Sequence, residues 1–142
     1  ETYIIEPKQK VLNSVTEDIT VEGMIQTMTQ YLNHLKEALM TFDNKSINTG
    51  NVNSIMFTAY GRFPALHRKA QRLALKEVDL WRKAIYNSQR AGLIKHGIDV
   101  DQIALMFAHI KNSYDSGLGR TQMNFQLLEK TYYALYNLLK KE

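Results

Sequence analysis

The chain contains no cysteine, and that one absence removes disulfides, thiolate metal sites and cysteine nucleophiles together. Only two prolines and seven glycines interrupt its 142 residues, which leaves room for long, unbroken helices. No apolar run approaches the roughly 20 residues that a membrane-crossing helix requires, and no basic-then-apolar leader opens the chain. Strand-like alternation of apolar and polar residues is nearly absent, as are internal repeats and low-complexity tracts. What remains is one soluble helical domain, expected in the cytoplasm and without a membrane partner. A chain of this size hides roughly two thirds of its extended surface on folding, so its core needs no covalent staple. The first residue is Glu1 and not methionine, as expected of a fragment of a longer protein.

Charge is modest in sum and uneven in place. The net charge is +4, yet residues 1–50 carry 4 basic and 7 acidic groups whereas residues 51–100 carry 9 and 3. On a helix over residues 65–91, Arg68, Lys69, Arg72, Lys76, Lys83 and Arg90 fall within an arc of about 100°, opposite the apolar side. Such a stripe is either a phosphate-binding surface or a solvated helix face. No aromatic residues interleave with these bases to stack nucleobases, and no nucleic-acid-binding motif surrounds them, which favours the solvated face.

Helical periodicity runs through the chain. Residues 2–14 form a short, weakly held helix, turned or kinked by Pro7. Asp18 and Thr20 offer caps for an amphipathic helix over 21–42, in which Val21, Met24, Ile25, Met28, Tyr31, Leu32, Leu35, Leu39 and Phe42 recur at three- and four-residue steps. The Asn-, Ser- and Gly-rich stretch 43–53 is a loop, and a short helix spans 55–61. Pro64 opens the next helix and Gly92 closes it as a left-handed cap. Its inward side combines Leu66, Ala70, Leu73, Ala74, Val78, Leu80, Trp81, Ala84, Ile85 and Ser88. Asp99, with Gln102 three residues on, caps a helix from 100 to about 118, and a last helix runs from about 121 to 139. The fold class is all-α, a bundle of five or six helices in a single domain.

The last two helices carry more apolar surface than one neighbour can cover. Apolar residues on the last helix, Leu127 and Leu138 through Leu135, Leu128 and Tyr132 to Phe125 and Tyr136, span an arc of about 180°. On the preceding helix, Ile103, Met106, Phe107, Ile110 and Tyr114 make one stripe, and Leu105, Ala108, His109 and Asn112 make a second, mixed one. Residues 100–142 are therefore expected to form a four-helix interface between two copies, a homodimer. Leu105, Ala108, His109 and Asn112 on one helix and Phe125, Glu129, Tyr132 and Tyr136 on the other are its candidate residues. Alternatively, the first helices of the same chain bury both flanks.

Signals for catalysis are weak. His34, His67, His96 and His109 make neither an HExxH pattern nor a Glu-x-x-His pair, so no metal site is expected. His109, Ser113 and Asp115 share one helix, which does not assemble a nucleophile with its base and orienting acid. Gly117 and Gly119 follow no strand and read as a helix break. The expectation is a non-enzyme with no cofactor. A binding cavity has better support: Met24, Met28, Tyr31 and Leu35 share a flank of one helix, Met56, Phe57 and Tyr60 lie on the short helix, and Trp81 and Ile85 share a flank of the long one. Adaptable methionines and aromatic rings with a polar tip suit a small hydrophobic or aromatic ligand. A solid core would use the same residues, and the alternative function is a stand-alone helical interaction or scaffold module.

The stretch GRFPALHRKAQ (61–71), the stretch QRAGLIKHGIDVDQIALMF (89–107) and the following NSYDSGLG (112–119) resemble the C-terminal domain of TetR/AcrR-type transcriptional regulators. A Phe63–Pro64 pair that opens a long helix, Ala91–Gly92 that closes it, an acidic turn at 99–101 and Gly117 after Asp115 carry the resemblance, and ETYIIEPK at 1–8 is similar to the segment after that family's DNA-binding unit. The resemblance implies an effector pocket, a dimer bundle made by the last two helices, and residues 1–14 as the remnant of a linker helix. It implies contact with DNA only through an N-terminal domain that this chain lacks. Effector binding would then shift the linker helix and change operator affinity, with no indication of effector, operator or direction of control.

Overall fold

The computed structural model describes residues 5–41, 61–117 and 125–141. These residues form five helices: α1 (Ile5–Asn13), α2 (Val21–Thr41), α3 (Pro64–Arg90), α4 (Val100–Gly117) and α5 (Phe125–Leu139). No strand occurs among the described residues, and none of the described helices is long and apolar enough to cross a membrane. The short helix expected over 55–61 and the loop before it lie outside the described residues, apart from a helical pair at 61–62.

The helix ends follow local chemistry. Pro64 occupies the first turn of α3, where a missing N–H costs nothing, and the Phe63 before it provides no side-chain cap. At the other end Gly92 has φ +75°, and the N–H of Leu93 donates to the Ser88 carbonyl at 2.8 Å, which closes α3 on carbonyls left open by the helix. Thr20 caps α2 by accepting from the Gly23 N–H at 3.1 Å, and Asp99 caps α4 by accepting from the Gln102 N–H at 3.1 Å. Pro7 sits in the first turn of α1 and does not break it.

Helix α3 is the spine. It packs against α1, α2 and α4, while α5 lies across α2 and α4. The last turns of α3 also fix the segment that joins α1 to α2. Asn87 Nδ2 donates to the carbonyls of Glu17 and Ile19, both at 2.9 Å, and Ser88 Oγ accepts from the buried Val21 N–H at 3.0 Å. Backbone groups that begin a helix have no partner within it, and here a neighbouring helix supplies one. A second clasp closes the chain end. The Lys95 N–H donates to the Leu139 carbonyl at 2.9 Å and the Lys141 N–H to the Leu93 carbonyl at 3.0 Å, an isolated antiparallel bridge centred on Ile94 and Lys140.

The basic arc on α3 is partly occupied by partners. Lys83 pairs with Glu17 at 2.7 Å, Lys76 donates to Asn13 and Arg90 to Asn87. These three bases of the arc thus bind neighbouring polar groups of the same chain, which fits a solvated, structural face. Inside, Trp81 is fully buried, with its indole nearly parallel to Phe107 (centroids 4.5 Å apart, 8° between planes) and at 5.7 Å from Tyr132. Those three rings, with Met24, Ile25 and Leu128, form the centre of the core.

Candidate functional site

A cavity of about 510 Å³ opens beside this core, and each of the five helices contributes to its wall. Lys8 comes from α1, Met28 and Tyr31 from α2, Gln71, Ala74, Leu75, Glu77 and Val78 from α3, Leu105, Ala108 and His109 from α4, and Tyr132 from α5. The volume lies within the range of small-molecule sites, and the mixture of apolar wall with few polar groups has their usual character. Small side chains create the space: Ala74 and Ala108 face it where longer residues would fill it.

Its most unusual group is Glu77. A carboxylate in the middle of the inward side of α3, only 4% exposed, is costly unless its oxygens have partners. Both do. Oε1 lies 2.9 Å from Lys8 Nζ, and Oε2 accepts from the indole Nε1 of Trp81 at 3.2 Å. The ion pair therefore joins α1 to α3 in the cavity wall, and the indole joins that wall to the aromatic core. Burial, and secondarily the charge of Glu77, pushes the Tyr132 hydroxyl well above the ordinary tyrosine range.

The expected ligand residues separate into three groups. Met28 and Tyr31 line the cavity; Met24, Trp81 and Ile85 are fully buried in the core behind it. The Leu35 side chain and Met56, Phe57 and Tyr60 lie outside the described residues. The expected interface residues divide differently from their helical arcs. Leu105, Ala108, His109 and Tyr132 line the cavity, Tyr132 and Tyr136 turn inward and are buried within one chain, and Glu129 is exposed. The Asn112 and Phe125 side chains lie outside the described residues. The apolar surface of α5 that does face outward belongs to Leu127 and Leu138, 40% and 71% exposed, with Ala134 between them.

Sequence reasoning missed Glu77 and Lys8. The signal for Glu77 was present, because it takes the core position midway between Leu73 and Trp81 at four-residue steps, where an acid is out of pattern. Lys8 had none, because only tertiary packing brings α1 onto α3. Elsewhere, a groove on the outer side of α3 contains Arg82, but its guanidinium is already bound by Asp101 at 2.7 Å and Asp79 at 2.5 Å. Among the described residues no three His, Asp or Glu side chains gather as a metal site, and His34, His67, His96 and His109 are all exposed. No family model matches the chain, and no curated protein or solved structure matches it.

Proposed function

We propose that this chain is the ligand-sensing and dimerisation domain of a TetR-type transcriptional regulator acting in the cytoplasm, with its DNA-binding unit outside the present residues. One observation carries the reading: a half-open cavity of about 510 Å³ to which every described helix contributes, including the first. The motifs at 61–71 and 89–107 support the family. The effector is a small molecule with an aromatic or apolar body, held by Met28, Tyr31, Val78 and Tyr132.

Coupling follows from the contacts of α1. A ligand moves a conformational equilibrium only by binding one state better than the other. Lys8 reaches from α1 into the cavity, so the cavity's contents and the seating of α1 are linked through one ion pair. Two such chains associate through the outward surface of α5, where Leu127, Ala134 and Leu138 offer an apolar strip. Homodimerisation then sets the spacing of the paired DNA-binding units.

A thermal-shift screen of small aromatic amphiphiles tests the sensing role, with Ala108→Trp as the control that fills the cavity. The reading expects compounds that raise the melting temperature of the parent chain and not of Ala108→Trp. A screen without one such compound returns the chain to the alternative of a scaffold module with a filled core.

A further inference from the structure

Resting on the ligand-sensing reading, we infer that the cavity is selective for organic cations, whose ammonium group takes the place of Lys8 on the buried Glu77 carboxylate. The two partners of that ion pair are unequal. The Glu77 side chain is 6% exposed and fixed in the middle of the 27-residue α3, whereas the Lys8 side chain is 23% exposed on a flexible stem of the nine-residue α1. Lys8 can turn into water and regain its hydration. Glu77 cannot, and left without a cation it becomes an uncompensated buried charge.

This asymmetry selects the ligand. A neutral molecule must leave the Lys8–Glu77 pair in place, because it brings no charge to replace the ammonium. An anion meets the fixed charge of Glu77. A cation with N–H donors restores the charge-assisted hydrogen bond at Oε1 and frees Lys8 in the same step. The remaining wall suits such a molecule: Tyr31 and Tyr132 present aromatic rings that attract cations, and Met28 and Val78 receive an apolar body. His109 is the other basic group of the lining; it is exposed and comes from the facing helix α4. The exchange has a mechanical result, since α1 loses its ion pair to α3 when the cation binds.

Three probes of similar length separate the possibilities at neutral pH: 4-phenylbutylammonium, 4-phenylbutanol and 4-phenylbutanoate. Binding is followed by calorimetry and by emission of Trp81, the sole tryptophan, whose indole is bonded to Glu77. The ammonium is expected to bind at least about tenfold more tightly than the other two, a difference of about one charge-assisted hydrogen bond. Glu77→Gln should bring that ratio close to one, and Lys8→Met, which removes the competitor, should raise the ammonium's affinity. Equal binding of ammonium and alcohol, or an unchanged ratio in Glu77→Gln, overturns the cation preference and leaves the ligand-sensing reading intact. If none of the three binds, the cation preference fails, and the ligand-sensing reading is decided by the thermal-shift screen. Should Glu77→Gln not fold, Lys8→Met decides: 4-phenylbutylammonium must raise its melting temperature more than it raises the parent's, and an equal rise overturns the inference.

Discussion

The indole Nε1 of Trp81 donates to Glu77 Oε2 at 3.2 Å, one helical turn away, so a single side chain is both the centre of the aromatic core and the inner anchor of the cavity's carboxylate. Removing the ring and removing only its N–H should therefore differ. Trp81→Ala empties the space between Phe107 and Tyr132 and should cost about 3–5 kcal/mol. Trp81→Phe keeps a ring but takes a donor from a buried carboxylate, with an expected cost of about 1–3 kcal/mol. Chemical denaturation of the three proteins at one temperature checks the order.

Ser88→Ala should destabilise the chain far beyond the loss of one hydroxyl on a surface. Its Oγ is the partner of the buried Val21 N–H, and without it the first backbone donor of α2 is stranded. The expected cost is about 1–3 kcal/mol. Faster hydrogen exchange at the Val21 amide locates the effect at the start of α2.

Tyr132 predicts the alkaline side of the stability curve. Its hydroxyl titrates well above the ordinary value of 10.0 when folded, through burial first and the charge of Glu77 second. Below pH 10 both folded and unfolded forms hold the proton, so its contribution is fully present there. Above it the unfolded chain releases the proton and the folded chain does not, so stability falls by about 1.4 kcal/mol per pH unit from this group. Tyr132→Phe should show a shallower loss above pH 10 in denaturant titrations; identical slopes would place the Tyr132 proton in ordinary solvent.

The outward strip of α5 makes a separate prediction about assembly. A Leu127→Asp, Leu138→Asp double variant should sediment as the 16.4 kDa monomer, while the parent sediments at twice that mass at micromolar concentration. A monomeric parent would remove the dimer. Tyr132→Asp and Tyr136→Asp are expected to unfold the chain instead, because both rings are buried inside it.

The sequence made the helices readable and left their rotations open. Pro64, Gly92, Thr20 and Asp99 mark boundaries because capping is local chemistry, set by residues within one turn of each other. The arc of about 180° on the last helix was equally visible, but a helical wheel has no origin. Which part of it turns inward depends on Trp81, some 50 residues earlier, onto which Tyr132 stacks. The site was legible in part for the same reason. Met28 and Tyr31 belong to a flank that periodicity exposes, whereas Lys8 meets Glu77 only because α1 folds back on α3. The clasp between Lys95 and Leu139 joins two segments with no local pattern in common.

A crystal structure of this chain grown with 4-phenylbutylammonium bears most directly on the cavity as a sensing site. The phenyl ring is expected between Tyr31, Val78 and Tyr132, the ammonium within hydrogen-bond distance of Glu77, and Lys8 turned out to solvent. An unfilled cavity with Lys8 Nζ still 2.9 Å from Glu77 Oε1 would contradict it.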